Sequence, residues 1–398
     1  MGEHKPTESR NSIKWFYIFR SFTLNHFHTA IYVVYLRYLG FSFVTIASLH
    51  LAKDISSAVL EIPFSYLSDR IGHKRIMFLP GIFVIIMVAI IVMSPTTIML
   101  HVAFVLWGAA VAAESGVSDA YLYSAVGEDR FPVIQSNSYV ARQVLSAIFK
   151  LIGSITYAMS HLLPFLFSSA NALISSISSL FLKNENAKSN KNKEALSLTA
   201  MKQTIQSKEF LTVLAHNTIL IGLLGISFTY ESVLLVDRGL KVELLGGFVL
   251  IKALVNSLGA GFSKRISAIK RINLLYFGLY LTTAFGIIAL AIAQTYSLSL
   301  LALAVISFVN GIMMPYKTIL INKVILGDRA TLLSVQAQVS LILRSLGALA
   351  IGWLADKYSI KHALMILALM LLVSIILLRL FSKGRIDGLA NSPESATS

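Results

Sequence analysis

The chain has 398 residues, of which 56% are hydrophobic and only 13% are charged, whereas a soluble domain carries about 25% charged residues. It contains no cysteine, so disulfides and thiolate metal sites are excluded. The formal net charge is +15, a surplus that in a soluble protein would suggest nucleic acid as a partner.

Long apolar runs follow one another through the whole chain. About 20 mostly apolar residues are enough to cross a bilayer as a helix, and membrane strands would instead show alternating polarity. The runs here are continuous and rich in Leu, Ile and Ala. We therefore predict an all-α membrane protein with twelve transmembrane helices, named spans 1 to 12, at residues 14–38, 42–68, 74–94, 97–126, 134–158, 161–182, 209–236, 243–263, 271–293, 297–322, 331–355 and 360–381.

Three polar segments arrange these spans in two groups. We predict a cytoplasmic tail at 1–13, a basic and flexible cytoplasmic linker at 183–207, and a second cytoplasmic tail at 382–398. An N-terminal six-helix bundle then covers 14–182, and a C-terminal six-helix bundle covers 208–381.

The two groups of spans are weakly similar in sequence. Gly127-Glu128-Asp129-Arg130 precedes span 5, and Gly327-Asp328-Arg329 precedes span 11. Many transporters are built from such repeats, with the substrate site between them near the middle of the membrane.

Lysine and arginine are unevenly distributed between the two sides of the membrane. With the N-terminus inside, the outer loops hold only Arg37, Arg238, Lys241, Lys357 and Lys361, and most other loop cations fall inside. This distribution is the positive-inside bias of membrane proteins, and it predicts that both termini are cytoplasmic. We therefore expect a multi-pass protein of the bacterial inner (plasma) membrane. The basic surplus is thus a topology signal with a weak second role in binding anionic lipid, and no nucleic-acid partner is expected.

The hydrophilic gap between spans 2 and 3 carries a specific motif. It places Ser65 four residues before an acid, a glycine at the turn and a basic cluster after it. The motif residues are Ser65, Asp69, Arg70, Gly72, His73, Lys74 and Arg75. This loop resembles the signature loop between helices 2 and 3 of the major facilitator superfamily (MFS) of secondary transporters, in which glycine is typical at the place of Ser65 and arginine is common at the place of His73.

Further segments are similar to a bacterial drug and metabolite efflux-like subgroup of that superfamily. They are Glu61-Ile62-Pro63, Ser115-Gly116, Ala330–Ser334 and Gly352–Asp356. Two features depart from it, because span 5 lacks a Gly-Pro stretch and span 4 has no arginine before Arg130. The resemblance implies the MFS fold of two six-helix bundles, alternating access and no covalent chemistry.

The loop motif is predicted to form a gate. Asp69 can accept hydrogen bonds from Arg70 and from a neighbouring helix start, and Ser65 lets helices approach closely. With Gly72, Lys74 and Arg75, this cluster would hold the inner face shut. The alternative is that the charges only anchor the topology.

Ionisable side chains inside spans are costly and are retained for function by default. Span 2 aligns His50, Asp54, Ser57 and Glu61 on one face, and span 5 aligns Arg142, Ser146, Lys150 and Ser154. We predict the following proton-coupling residues: Glu114, Asp54, His26 and His28. We predict the following substrate-binding residues: Lys252, Arg344, Lys150, Asn310, Asn256 and Tyr121.

The sequence suggests acids in the first half facing bases in the second. Lys150 is a candidate partner for Glu114, and Glu231 is assigned to the outer end of span 7, away from the membrane centre. A buried carboxylate can bind or release a proton as its surroundings change. The alternative is that these residues are structural ion pairs between helices.

We therefore predict a secondary transporter. The favoured activity is proton-coupled export of a drug, antibiotic or endogenous metabolite, and the alternative is proton symport of a small organic anion, sugar or peptide-like nutrient. No zinc-protease, serine-hydrolase or phosphate-binding motif is present, so no enzyme activity, metal or cofactor is expected. The expected partners are a small-molecule substrate, protons and membrane lipid, with the protein acting as a monomer.

Overall fold

The computed structural model describes residues 6–93, 95–183, 207–267, 272–324 and 329–382. The predicted linker at 183–207 and the tail at 382–398 lie almost wholly outside the described residues, as do Gly327 and Asp328 of the similar segment before span 11. In the described part every span is helical, which confirms the all-α fold class.

The helix boundaries agree closely with the apolar runs. Nine spans are single α-helices or continue directly from a short 3-10 turn: Phe43–Ile71, His73–Met93, Phe131–Met159, Leu163–Leu180, Val242–Leu244 followed by Leu245–Ser267, Ile272–Ile292, Tyr296–Val324, Arg329–Lys357 and Ile360–Ser382. The other three are interrupted. Span 1 consists of Pro6–Phe22, Phe27–Ala30 and Tyr32–Tyr38; span 4 of Thr97–Glu114 and Val117–Val126; span 7 of Lys208–Ser227 and Glu231–Asp237.

Ten spans in the described residues are long and apolar enough to cross a membrane. The two that fall outside this set are spans 1 and 5. Span 1 is divided into short helices, and Phe131–Met159 carries the polar stripe that includes Arg142 and Lys150. Helices of this kind are stabilised in membranes by polar contacts with their neighbours rather than by lipid.

The chain forms two compact units. The first comprises Met1–Phe41, Ser48–Asn190 and Lys241–Val249, and the second comprises Ser42–Ala47, Lys191–Leu240 and Leu250–Ser398. The start of span 8 therefore belongs to the first unit, and the start of span 2 belongs to the second.

Each unit has its own packed interior. In the first, Phe16 stacks on Tyr121 with ring centroids 6.1 Å apart, and both are buried beside Met77. In the second, His216 stacks on Tyr276 at 4.6 Å. Tyr121 was predicted to bind substrate, but its side chain is 1% exposed in the core of the first unit, where it contributes packing.

The three interruptions break the regular hydrogen bonding of their helices and free backbone polar groups. In span 4, Ser115 is extended and Gly116 has φ +72°, a conformation that glycine adopts without strain. In span 1 the chain unwinds between Phe22 and Phe27, and Leu24 has φ +53°. Broken helices of transporters are tolerated where protein or a water-filled cavity satisfies the freed groups.

Adjacent glycines at the start of span 8 provide a test of packing in the first unit. A methyl group on Gly246 would lie 2.4 Å from Leu151 Cα and 2.6 Å from the Lys150 carbonyl oxygen, whereas one on Gly247 would meet nothing within 4 Å. We expect Gly246→Ala to destabilise the protein by about 1–3 kcal/mol through overpacking. Gly247→Ala should be neutral or slightly stabilising, since alanine favours helix more than glycine does.

The measurement is the thermal midpoint of both variants in detergent, with wild type as reference. Similar midpoints for the two variants would contradict the close approach of span 8 to span 5.

Candidate functional site

A cluster of buried charges lies at the interruption of span 4. Arg20 at the end of the first helix of span 1 donates from Nη1 to Glu114 Oε1 at 2.9 Å, and Arg142 of span 5 donates to the same oxygen at 3.3 Å. Glu114 is the last residue of its helix and is buried. One carboxylate thus pairs with two guanidinium groups inside the first unit.

Three further side chains complete this cluster. Arg20 also contacts the Ser118 hydroxyl and lies 3.1 Å from Asp119 Oδ1. Gln135 of span 5 donates to the same Asp119 oxygen at 2.8 Å. The side chain of Asp119 is 41% exposed, against 9% for Glu114, so the cluster runs from a buried acid to an accessible one.

Span 6 satisfies the backbone freed by the interruption of span 1. Asn171 donates to the Asn25 carbonyl at 2.9 Å, and the Ser168 hydroxyl accepts from Phe27 N at 3.0 Å. Asn25 in turn donates to the Arg142 carbonyl at 3.0 Å. These bonds hold the irregular segment in a fixed shape, and they connect it to the helix that carries Arg142.

The predicted histidines lie in an aromatic cluster. His26 and His28 stack with centroids 5.1 Å apart, and Trp107 meets both rings edge-on at 6.0 Å. His28 Nδ1 lies 2.8 Å from the Ser168 hydroxyl. Neither ring nitrogen of His26 has a hydrogen-bond partner among the described residues, so the observed contacts of His26 are aromatic ones and its role in proton coupling stays a prediction.

Asp54 is almost fully buried in span 2, and its carboxylate lies 3.0 Å from Lys53 Nζ. The lysine ammonium also lies 5.3 Å from the centroid of the Trp107 ring. Lys53 therefore reaches the region of the histidines although its position on the helix differs by about 100° from that of Asp54. His50, one turn earlier, meets the Tyr32 hydroxyl at 2.6 Å.

The second unit has an acid–base pair at the interruption of span 7. Lys252 Nζ of span 8 lies 2.5 Å from Glu231 Oε1, and the same ammonium lies 3.7 Å from the centroid of the Phe228 ring. Glu231 begins the short helix after the interruption. The sequence left the second half without an acid near its bases, and the structure corrects this by placing Glu231 directly on Lys252.

Other predicted residues of the second unit lie at helix crossings. The aliphatic part of Arg344 packs on Gly225 of span 7, where a methyl group would lie 2.9 Å from Arg344 Cδ. The Asn256 carbonyl would lie 2.0 Å from a methyl group on Gly311, so Asn256 and Asn310 border a close approach of spans 8 and 10.

The predicted gating loop forms a tight turn. Gly72 has φ +96° between helices Phe43–Ile71 and His73–Met93, and its N–H donates to the Ser68 carbonyl at 3.0 Å. Arg70 lies over the Tyr66 ring at 4.5 Å. Asp69 and Arg75 are exposed.

The close helix approach expected at Ser65 is not seen in the described part of its unit. Ser65 is exposed, and its carbonyl accepts the Ser68 hydroxyl at 2.7 Å. Lys74 is partly buried at the start of span 3.

Two charged residues of the first-unit cluster, Arg20 and Asp119, were not among the predicted site residues. Arg20 lies inside the first apolar run, and Asp119 follows Ser118 one turn after Glu114. The signal for Arg20 was available, since an arginine inside a predicted span needs a buried counter-ion. Its partner could not be read from spacing, because Arg20 and Glu114 are 94 residues apart.

Ten helices in the described residues are long and apolar enough to cross a membrane, and charged clusters lie at interrupted helices. This combination indicates a multi-span membrane transporter. The chain matches the family model described as Major Facilitator Superfamily over residues 15–339. It therefore belongs to the major facilitator superfamily. A search among curated proteins finds no match.

Solved structures share this fold at low sequence identity. A bacterial homologue of the human lysosomal transporter Spinster, in an inward-facing and unoccupied conformation, has a TM-score of 0.75 and 13% identity, covering 96% of this chain and 98% of that chain. A mutant of the nucleoside transporter NupG has a TM-score of 0.70 and 12% identity, covering 94% and 99%. At these identities the likeness shows the fold alone.

Proposed function

We propose that this transporter is a proton-coupled antiporter that exports a drug, an antibiotic or an endogenous metabolite by alternating access. The observation that supports this proposal is the buried carboxylate of Glu114, held between Arg20 and Arg142 at the interruption of span 4. Acids inside membranes mark proton and ion pathways. We place the coupling proton on Glu114, with Asp54, His26 and His28 as further candidates.

The proposed coupling between proton and substrate depends on a change in the surroundings of Glu114 between two conformations of the transporter. A carboxylate in contact with two cations stays ionised, and a buried carboxylate that loses its counter-ions is stabilised by a proton. A conformational change that separates Glu114 from either arginine is therefore linked to proton uptake, and the return step is linked to proton release.

The charge of the substrate determines whether substrate and proton move in opposite directions or in the same direction. A basic substrate group competes with the proton for the carboxylates of Glu114 and Asp119, which gives antiport. An anionic group that takes Arg20 and Arg142 instead leaves Glu114 to bind a proton, and substrate and proton then travel together. This second arrangement supports the alternative of symport uptake of a small organic anion, sugar or peptide-like nutrient, and a nucleoside transporter is among the similar folds.

The predicted substrate-binding cations are partly exposed, each within its own unit. Lys150, Lys252 and Arg344 are partly exposed, and we propose that they bind an anionic or zwitterionic substrate together with Asn256 and Asn310. The side-chain amides of Asn256 and Asn310 can both donate and accept hydrogen bonds, which favours a polar substrate over a purely lipophilic cation.

The test uses inside-out vesicles with an acidic lumen and a pH-sensitive dye. On addition of a transported compound, wild type should release protons from the lumen, and Glu114→Gln should abolish the release because its amide cannot carry the proton. Asp119→Asn is the matched control, since it removes an exposed acid that touches the same arginine. We expect it to alter apparent affinity by less than about tenfold and to retain proton movement.

Opposite outcomes separate the alternatives. Proton release that persists in Glu114→Gln would remove Glu114 from the coupling step. Proton entry together with substrate, measured in right-side-out vesicles, would replace antiport with symport.

The membrane orientation is also a proposal. We place both termini in the cytoplasm of a bacterial inner membrane on the positive-inside bias, with the inner basic residues binding lipid head groups and the protein acting as a monomer. The loop formed by Ser65, Asp69, Arg70, Gly72, Lys74 and Arg75 is proposed as the inner gate.

A further inference from the structure

His26 and His28 leave three buried ring nitrogens without hydrogen bonds. Both nitrogens of His26 and Nε2 of His28 have no partner among the described residues, although the two residues are only 3% and 1% exposed. The remaining nitrogen, His28 Nδ1, meets the Ser168 hydroxyl at 2.8 Å. Buried polar groups are nearly always hydrogen-bonded, so these three nitrogens indicate a further binding partner.

The surroundings of these nitrogens are aromatic. The two imidazole rings stack with 7° between their planes, and His28 also stacks on Phe165 at 5.0 Å. Trp107 lies edge-on to both imidazoles and, at 5.7 Å, to Tyr32. A flat ring bound here would therefore pack against other rings, an arrangement that stabilises aromatic pairs beyond the area that they bury.

The cluster reaches the surface of the first unit at Trp107 and Lys53. Trp107 is partly exposed, and the Lys53 side chain is 20% exposed, with its ammonium 5.3 Å from the centroid of the Trp107 ring. His26 lies in the irregular segment of span 1 that follows Phe22, and discontinuous helices form the substrate sites of many transporters. A ligand that enters beside Trp107 therefore meets the histidines next.

The charges beside this cluster favour a ligand group without charge. Lys53 pairs with Asp54 at 3.0 Å, and Arg142 pairs with Glu114 at 3.3 Å. An anionic group would compete with these acids for their cations and leave a buried carboxylate unpaired. Arg142 and Lys150 also act electrostatically on the first histidine, which disfavours a further cation there. An uncharged group leaves both ion pairs intact.

We propose that the cluster of His26, His28 and Trp107 binds an aromatic ring carrying an uncharged amide, as the part of the substrate that enters the first unit. A neutral imidazole carries one donor and one acceptor, so two adjacent imidazoles offer both to the N–H and C=O of an amide, while the ring packs beside Trp107. The inference deepens the proposed function and rests on it only in that the protein carries a small molecule.

The test is equilibrium dialysis of purified protein, with equal detergent in both chambers, against 2-naphthamide, 2-naphthoate and 2-naphthylmethylamine. We expect wild type to bind the amide at least about tenfold more tightly than either charged probe, because burying an unpaired charge is costly. His26→Phe keeps an aromatic ring and removes both ring nitrogens. It should weaken naphthamide binding by about tenfold, the size expected for one buried hydrogen bond.

A second buried histidine provides the matched control. His216 of the second unit is 4% exposed, stacks on Tyr276 and also has no partner for either ring nitrogen among the described residues. His216→Phe should leave naphthamide binding unchanged within about twofold. Both variants replace an unsatisfied polar ring with an apolar one, so neither should lower the thermal midpoint of the protein.

Tryptophan fluorescence locates the bound probe without any histidine variant. The chain has three tryptophans, so replacing Trp15 and Trp353 with phenylalanine leaves Trp107 as the only one. We expect naphthamide to quench the Trp107 emission with the midpoint found by dialysis, because a naphthalene ring accepts excitation energy from an indole beside it.

Several results would overturn the proposal. Naphthamide could fail to bind wild type, or bind His26→Phe equally tightly, which would leave buried water as the partner of the open nitrogens. His216→Phe could weaken binding as much as His26→Phe, a charged probe could bind as tightly as naphthamide, or Trp107 emission could stay constant while naphthamide binds. Dialysis involves no proton gradient, so its result is independent of the proton release that tests Glu114.

Discussion

Replacing Glu114 with leucine should destabilise the first unit by about 3–5 kcal/mol, because it leaves the buried Arg20 and the partly buried Arg142 without their shared acid. Arg20 and Arg142 both donate to Glu114 Oε1, at 2.9 and 3.3 Å. Arg20 keeps Asp119 as a second partner at 3.1 Å, which sets the lower end of this range. Glu114→Gln should cost less, since its amide oxygen can still accept hydrogen bonds from both arginines, although the negative charge is lost.

A double-mutant cycle assigns this loss to the ion pair. Arg20→Met combined with Glu114→Leu removes both charges, so its destabilisation should be smaller than the sum of the two single variants by about 1–3 kcal/mol. The measurement is the thermal midpoint in detergent for the four proteins. Additive losses would show that Arg20 and Glu114 do not interact in the folded protein. Asp119→Leu, at the exposed end of the cluster, serves as the control and should change stability by about 1 kcal/mol or less.

The transmembrane fold could be predicted because its cause is local. A run of about 20 apolar residues forms a helix in lipid regardless of its neighbours, and polar segments end it. The positive φ of Gly72 closes helix Phe43–Ile71 only a few residues beyond the predicted boundary of span 2. Pro63, inside the same helix, did not disturb the prediction, since the surrounding apolar run continues.

The interruptions could not be predicted in the same way. Span 1 reads as one apolar run, and its break between Phe22 and Phe27 depends on Ser168 and Asn171, about 140 residues further along the chain. Those side chains satisfy backbone groups that would otherwise force a regular helix. Nothing near Phe22 in sequence carries this information.

The sequence predicted Glu114 as a residue of the candidate site, but it did not predict which cations contact its carboxylate. Lys150 was predicted as a candidate partner of Glu114, and the structure places Arg20 and Arg142 on its carboxylate. Lys150 is eight residues beyond Arg142, which is about 12 Å along a helix. Spacing gives the face of one helix, whereas the pairing depends on which helices are neighbours, and a single sequence does not provide that arrangement.

Asp356 at the end of span 11 is expected to hold the start of span 2 in place. Its two carboxylate oxygens accept from Phe43 N at 2.8 Å and from Val44 N at 2.7 Å. These are among the first N–H groups of helix Phe43–Ile71, which lack partners within the helix. The Tyr230 hydroxyl adds a bond to the Phe43 carbonyl at 3.4 Å.

The segment that carries Asp356 repeats the pattern of the loop that carries Asp69. Gly352–Lys357 reads small, aromatic, Leu, small, Asp, cation, and the six residues of 65–70 read the same. Phe43 and Ile71 are opposite ends of a 29-residue helix, about 43 Å long. Asp356 therefore contacts the first residues of this helix, and Asp69 belongs to its last turn, so the sequence pattern occurs at both ends of span 2.

Asp356→Ala should weaken this contact by about 1–2 kcal/mol, the value of a carboxylate cap at a helix start. That corresponds to a rise of about five- to thirtyfold in the population in which the start of span 2 is open. The chain has no cysteine, so a single Val44→Cys substitution reports the opening through its rate of reaction with a membrane-impermeant maleimide. Lys357→Ala removes the adjacent charge, which lies 4.8 Å from the Trp353 ring, and should leave the rate unchanged within about twofold.

The same reagent at the other end of the helix shows whether the two faces are linked. In alternating access, opening one face requires closing the other. A cysteine at Ile71, which is exposed in the structure, should therefore react more slowly when Asp356→Ala is present. Faster labelling at Val44→Cys without slower labelling at Ile71→Cys would mean that Asp356 caps a helix and nothing more. An unchanged rate at both positions would show that the carboxylate does not hold span 2.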